Sequence, residues 1–132
     1  MTDQERAALI HAATIAREHA HVPYSKFKVG AALRTGSGRI FTGCNIENAT
    51  LGLTICAERV AVFKALSEGE RSFSAVAVVA ETDLLTPPCG ACRQILWEFC
   101  GDLEIILANL KGQMTLHRMS VLFPKPFDSS FF

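Results

Sequence analysis

The reading turns on Cys56-Ala57-Glu58-Arg59-Val60-Ala61-Val62-Phe63-Lys64-Ala65-Leu66-Ser67 and on its later echo, Pro88-Cys89-Gly90-Ala91-Cys92-Arg93. In both stretches a cysteine stands just ahead of an apolar-periodic run, Ala57 to Ser67 and Gly90 to Phe99. Each run therefore reads as a helix with a thiol at its N-terminus. Between the two lies Phe73 to Ala80, β-branched and apolar, and after the second comes Leu103 to Asn109. Both have the length and composition of strands. Upstream, Phe27 to Arg34 and Arg39 to Asn45 flank Thr35-Gly36-Ser37-Gly38, a hairpin signal. Asp3 to Ala20 is an amphipathic run rich in Ala, Glu, Arg and Ile, halted before His21-Val22-Pro23. Alternating strands and helices predict parallel pairing through right-handed crossovers. The expected result is an α/β fold, a three-layer α/β/α domain around a mixed sheet, with the thiols on two adjacent helix starts. No linker, repeat or low-complexity stretch interrupts residues 1-132, so a single domain is expected.

The thiols Cys56, Cys89 and Cys92 form a metal-ligand set with a carboxylate, Glu58, beside it. A structural zinc site is normally closed by four protein ligands, whereas a catalytic one keeps three and leaves the fourth position for water or substrate. Three are counted here, one zinc per chain. Three thiolates on a divalent cation leave about one net negative charge, and two helix N-termini facing it stabilise that charge by roughly 0.3–1 kcal/mol each when exposed. Arg59 and Arg93 come soon after a ligand in sequence and are expected to donate hydrogen bonds to sulfur, withdrawing charge from the thiolates. Glu58 lies roughly 200° around a helix from Cys56, yet within the first turn it can flank the metal opening. Its expected work is to take a proton from the attacking water and pass it to the substrate. A lone C-x-x-C reads equally well as a redox pair or half of a zinc ribbon. Glu58 and the missing fourth ligand decide for catalysis. His11, His19, His21 and His117 read as surface or packing residues, and Trp97 and Phe99 as core or subunit interface.

Two further stretches, Pro23-Tyr24-Ser25-Lys26-Phe27-Lys28-Val29-Gly30-Ala31-Ala32 and Gly43-Cys44-Asn45-Ile46-Glu47-Asn48, join the cysteine motifs. Together they make the chain similar, over nearly its whole length, to the small, homotetrameric, three-cysteine cytidine deaminases. The resemblance implies a mixed five-stranded sheet and hydrolytic deamination of cytidine and 2′-deoxycytidine with release of ammonia. It implies that Phe27 walls the base pocket, that Asn45 and Glu47 hydrogen-bond ribose hydroxyls, and that the Ala57 backbone and Glu58 read the pyrimidine edge. The segment Leu122-Phe123-Pro124-Lys125-Pro126-Phe127 resembles one whose phenylalanine, here Phe127, reaches an adjacent subunit's pocket. Leu51 stands where relatives often carry a tyrosine near the ribose 5′ end. The chemistry of these residues suits a nucleoside, which needs an apolar or aromatic face for its base and polar groups for its diol.

Composition sets outer bounds. At 132 residues and 49% hydrophobic content the chain suits one domain with a proper core. No apolar run spans a bilayer and no N-terminal segment reads as a signal peptide, so a cytoplasmic enzyme with no membrane partner is expected. Of five cysteines, Cys44 and Cys100 remain as free thiols of a reducing compartment. A formal net charge of zero argues against nucleic acid as a partner. A polynucleotide-editing enzyme would also need added basic or aromatic strand-binding surface. A blasticidin S deaminase-like enzyme is the nearest enzymatic alternative, and Asn45-Ile46-Glu47-Asn48 favours a free nucleoside over it. A zinc module without catalysis would bind metal and leave cytidine unchanged.

Overall fold

Alternate side chains of the run Phe73–Ala80 fall into two separate cores, Val76, Val78 and Ala80 in one and Ala75, Ala77 and Val79 in the other. A strand's period of two thus turns a continuous apolar run into a strand buried on both faces, which requires helices on both sides of the sheet. The computed structural model describes residues Met1–Phe132. Its elements are α1 (Asp3–Arg17), β1 (Val29–Thr35), β2 (Ile40–Cys44), α2 (Ala57–Ser67), β3 (Phe73–Ala80), α3 (Gly90–Cys100), β4 (Glu104–Ala108), β5 (Met114–Arg118) and the single turn α4 (Met119–Leu122). Leu9 and Ala13 of α1 cover one face, packing with Ala32, Ala75, Ala77, Val79, Ile106 and Ala108. The other face is covered by Ala57, Ala61, Val62 and Ala65 of α2, Leu96 of α3 and Met119 of α4. The expected three layers are present. Each Val, Leu or Ile fully buried in them contributes about 1.5–3 kcal/mol of transfer free energy.

The five strands run in the order β2-β1-β3-β4-β5. Only β3 and β4 are parallel neighbours; β1 is antiparallel to both β2 and β3, and β5 is antiparallel to β4. The hairpin, the mixed sheet and the parallel pair expected across the α3 crossover are all present, and β1 adds an antiparallel pairing to β3 that element order did not specify. The β1–β2 hairpin folds back so that β1 lies between β2 and β3, and the crossover through α2 spans it. The strands β2 and β3 keep the same direction without touching.

Helix α1 begins with a capping box, Glu5 N–H on the Thr2 hydroxyl and Thr2 N–H on the Glu5 carboxylate. It stops at Arg17, short of the expected Ala20. The N–H groups of Glu18, His19 and Ala20 reach back to carbonyls only three residues away, a tighter turn that unwinds the helix. His21 then bridges to the chain beyond β2, its N–H on the Asn45 carbonyl at 3.0 Å and its carbonyl accepting from Glu47 N–H at 2.8 Å. Strand β5 has exposed or half-exposed residues throughout, as an edge strand does, and so lacks the apolar alternation that marks the others.

Two glycines set how closely helices approach the sheet. A Cβ at Gly30 would stand 2.0 Å from the Ala13 carbonyl of α1, and one at Gly43 would stand 2.4 Å from the Ala57 carbonyl and 2.7 Å from the Ala61 nitrogen of α2. Gly43→Ala must therefore push the start of α2 away from β2, and Gly30→Ala must push α1. Both substitutions are expected to cost about 1–3 kcal/mol in thermal or denaturant unfolding. Only Gly43→Ala should also weaken metal affinity markedly, because Cys56 adjoins Ala57. Equal metal affinity in the two variants would show that the seat of α2 does not set the cluster.

Candidate active site

Cys56 is the N-cap of α2 and Cys89 the N-cap of α3, and neither side chain makes a capping bond to its helix's first-turn N–H groups. Cys92 sits in the first turn of α3. The parallel β3–β4 pair carries α2 and α3 onto the same face, N-termini together, and this brings the three sulfurs within 4.8 Å of one another. Cys56 Sγ and Cys89 Sγ are 3.9 Å apart. Sulfurs on a tetrahedral zinc at about 2.3 Å stand about 3.8 Å from one another, close to the Cys56–Cys89 separation. The donor set is soft, thiolate-only and short of a fourth protein ligand, as a zinc centre with an open position requires.

Electrostatics favour a thiolate at Cys56. Its pKa is held down to about 5 by hydrogen bonding from Cys92 and by the Arg59 guanidinium, whose Nη2 lies 3.3 Å from Cys56 Sγ. Cys92, the donor to that thiolate and itself buried, is pushed up. Glu58 occupies the first turn of α2 and is only 4% exposed. Burial pushes its pKa up to about 7, the Cys56 thiolate adds to the rise, and its own backbone N–H, Cys92 and Arg59 oppose it. A carboxyl so placed exchanges its proton near neutral pH.

Next to the cluster is a cavity of about 170 Å³. Phe27 and Val29 line it from the start of β1, Asn45 from the end of β2, Val78 from β3, and Cys56, Ala57, Glu58 and Cys89 from the two helix starts. Thr54, Thr86 and Pro87 complete it. The sequence-expected residues Phe27, Asn45, Ala57, Glu58, Cys56 and Cys89 are thus brought together. Asn45 holds the segment across from it: its Oδ1 accepts from Val29 N–H at 2.9 Å and its Nδ2 donates to the Phe27 carbonyl at 2.8 Å. Glu47 does not line the cavity; its carboxylate rests on the backbone of Tyr24 and Ser25, in the segment leading to Phe27. Phe127 is also outside it. The Phe127 ring stacks on Phe131 at 5.7 Å, and its carbonyl accepts from Gln94 Nε2 at 2.8 Å.

Arg93 differs from expectation. Its Nε donates to the Pro88 carbonyl at 2.8 Å and its Nη1 to the Leu122 carbonyl at 2.6 Å, so it serves backbone oxygens and not a sulfur. Arg93 ties the approach to Cys89 to the end of α4. Thr54, Thr86 and Ser25 went unassigned in the sequence. Thr86 shares a hydrogen bond with Thr82 at 3.0 Å, a contact between loop hydroxyls that no spacing rule announces. Ser25 had a readable signal, a serine two residues before a wall residue in a turn.

The chain matches the family model for the cytidine and deoxycytidylate deaminase zinc-binding region over residues 3–108. It is 52% identical over 126 residues to a cytidine deaminase of Halalkalibacterium halodurans, covering 95% of this chain and 96% of that protein. A crystal structure of cytidine deaminase from Burkholderia pseudomallei has a TM-score of 0.90 and 50% identity, over 96% of this chain and all of that one. A blasticidin-S deaminase of Bacillus cereus is further off, at 31% identity over 108 residues and 76% of each chain. Agreement that begins at α1, runs through both cysteine motifs to β4 and extends over nearly full-length relatives places the chain in the zinc-binding cytidine and deoxycytidylate deaminase family.

Proposed function

We propose that this chain hydrolyses cytidine and 2′-deoxycytidine to uridine and 2′-deoxyuridine, releasing ammonia, as a cytoplasmic enzyme of pyrimidine salvage. The observation that carries the reading is the buried carboxyl of Glu58 beside three clustered thiols at the floor of a cavity walled by Phe27. Cys56, Cys89 and Cys92 are the residues that would hold zinc, with Arg59 directing its charge at Cys56. When bound there, the metal supplies the Lewis acidity that makes water reactive near neutral pH. Glu58 takes one proton of the attacking water to ring nitrogen N3, where it stays in the product, and then carries the second, from the hydroxyl added at C4, to the amine, so that the C4–N bond breaks, C4=O forms and ammonia leaves. A group poised near pH 7 suits both transfers. Phe27 and Val29 give the base an apolar wall, the unpaired N–H groups at the start of α2 meet its polar edge, and Asn45 and Glu47 take the sugar hydroxyls. That diol-recognising pair favours a free nucleoside over a blasticidin-like substrate.

The active unit in this reading is a homotetramer with shared sites. A cavity of about 170 Å³ is smaller than the roughly 300–1,000 Å³ of typical small-molecule sites, so further walls must come from elsewhere. Leu51, Val121 and Phe127 are each more than half exposed and supply apolar surface for neighbouring subunits. No helix of the chain is long and apolar enough to cross a membrane.

Elemental analysis should find one zinc per chain, lost in a Cys89→Ala variant. Glu58→Gln should retain that zinc and lose at least about 10²-fold in kcat on cytidine, since a positioned acid/base contributes about 10²–10⁴. Near-parental turnover in the zinc-loaded variant would exclude Glu58 as the proton carrier.

The raised pKa of Glu58 also makes a stability prediction for metal-free protein. With a folded value of about 7 against 4.5 unfolded, the native state binds more protons between those limits. Stability is therefore lost as pH rises through that window, by on the order of 3 kcal/mol. Glu58→Gln stays neutral throughout. Its Tm should exceed the parent's at pH 8 and converge with it near pH 4.5, and an equal difference at both values would show that the carboxyl is not held neutral by burial.

Deleting Phe127 to Phe132 should lower kcat/KM on cytidine by about tenfold or more while zinc content stays near parental, because a lost aromatic contact removes about 0.5–1.5 kcal/mol beyond its buried area. Sedimentation of the intact chain at assay concentration should give a tetramer. A fully active monomer would defeat the shared-site reading.

A further inference from the structure

Glu47 is a nearly saturated carboxylate. Its Oε1 accepts from Tyr24 N–H at 3.0 Å and Ser25 N–H at 3.1 Å, and its Oε2 accepts from the Ser25 hydroxyl at 2.5 Å. An ionised carboxylate has about four lone-pair sites, so one is left, on Oε2. The same Ser25 oxygen accepts the Phe27 N–H at 3.0 Å. That bond closes a turn around Lys26, whose φ of 61° is in the left-handed region that side chains other than glycine enter at a cost. Local serine bonds of this type hold such turns. One hydroxyl therefore joins the Glu47 carboxylate to the backbone of the residue that walls the cavity.

Asn45 is similarly committed. With Val29 N–H on its oxygen and the Phe27 carbonyl on its nitrogen, it keeps one N–H and one lone pair. Asn45 and Glu47 together thus offer a sugar one donor and two acceptor positions.

We propose that Ser25 is a positioning residue for sugar recognition, holding Glu47 in the single orientation that leaves one Oε2 lone pair for a substrate hydroxyl. The inference rests on the nucleoside reading above and deepens it. A sugar lacking the matching hydroxyl leaves a charged acceptor unpaired, so the penalty for losing Ser25 depends on the substrate. Glu47 is held below the usual carboxylate range, first by the Ser25 side chain, and so meets the sugar as an anion.

The test compares kcat and KM of the parent, Ser25→Ala and Ser25→Thr on cytidine and on 2′,3′-dideoxycytidine, with Glu47→Ala as reference. Ser25→Ala should lose about tenfold or more in kcat/KM on cytidine, chiefly through KM, and less than about threefold on the dideoxy substrate. Ser25→Thr keeps the hydroxyl and should restore most of the loss. Should the alanine variant not fold, Ser25→Cys fills the same space with a weaker donor and should show the same substrate dependence. Equal losses on both substrates would make Ser25 a general structural residue and overturn the proposal. A Glu47→Ala variant that treats the two substrates alike would instead overturn the sugar-hydroxyl reading beneath it.

Discussion

A thiol is a poor helix cap, and this chain places one at the N-cap of both helices that frame its cavity. Serine, threonine or aspartate there would bond the helix's own first-turn N–H groups, worth about 0.5–2 kcal/mol at each end. Cys56 and Cys89 give up that stabilisation. The donors and dipoles of both helix starts are thereby left for an anionic sulfur cluster and whatever binds beside it. The rest of the architecture serves to bring those two ends together. Parallel β3 and β4 deliver α2 and α3 side by side, Gly43 lets α2 sit hard against β2, and Arg93 fastens the approach to Cys89.

How much of this was legible from sequence follows from which signals are local. The bounds expected for α2 and β3, Ala57–Ser67 and Phe73–Ala80, are those observed: α2 keeps Ala57, Ala61, Val62 and Ala65 on one buried face, and β3 is apolar on both. Strand β5 carries no such pattern, being exposed along its length. It was implied by family resemblance and could not be placed by pattern. The direction of β1 against β3 is a matter of long-range pairing, which alternation of elements does not encode. The arginines show the same limit at the site. Arg59, three residues on from Cys56, donates to its sulfur, whereas Arg93, four residues on from Cys89 and so on the same helix side, is drawn away by the Pro88 and Leu122 carbonyls. Helical spacing alone did not separate the two arginines; the competing backbone acceptor at Leu122, distant in sequence, did.

The segment from Tyr24 to Val29 shows why binding residues and fold residues are hard to separate here. Asn45 and Glu47 spend most of their hydrogen-bonding capacity on that segment's backbone. What remains is a small, defined set of free positions. A polar group already satisfied on most sides has few orientations available, so binding adds little ordering cost. Rigidity in the loop and selectivity toward a ligand have the same origin.

The two capping thiols are 33 residues apart in sequence, yet neither core of the domain contains any of the three cysteines of the cluster. A metal bound by them would act as a cross-link across a long loop whose ends already meet where α2 and α3 pack together. The loop-closure entropy is then a cost of the fold and not of the ion. Small zinc modules, in which metal capture and folding are one event, work differently. In this chain the ligands sit at the starts of α2 and α3, which packing of apolar faces with the parallel β3–β4 pair holds in place. A metal held there would act as a lock on a topology that hydrophobic packing specifies without it.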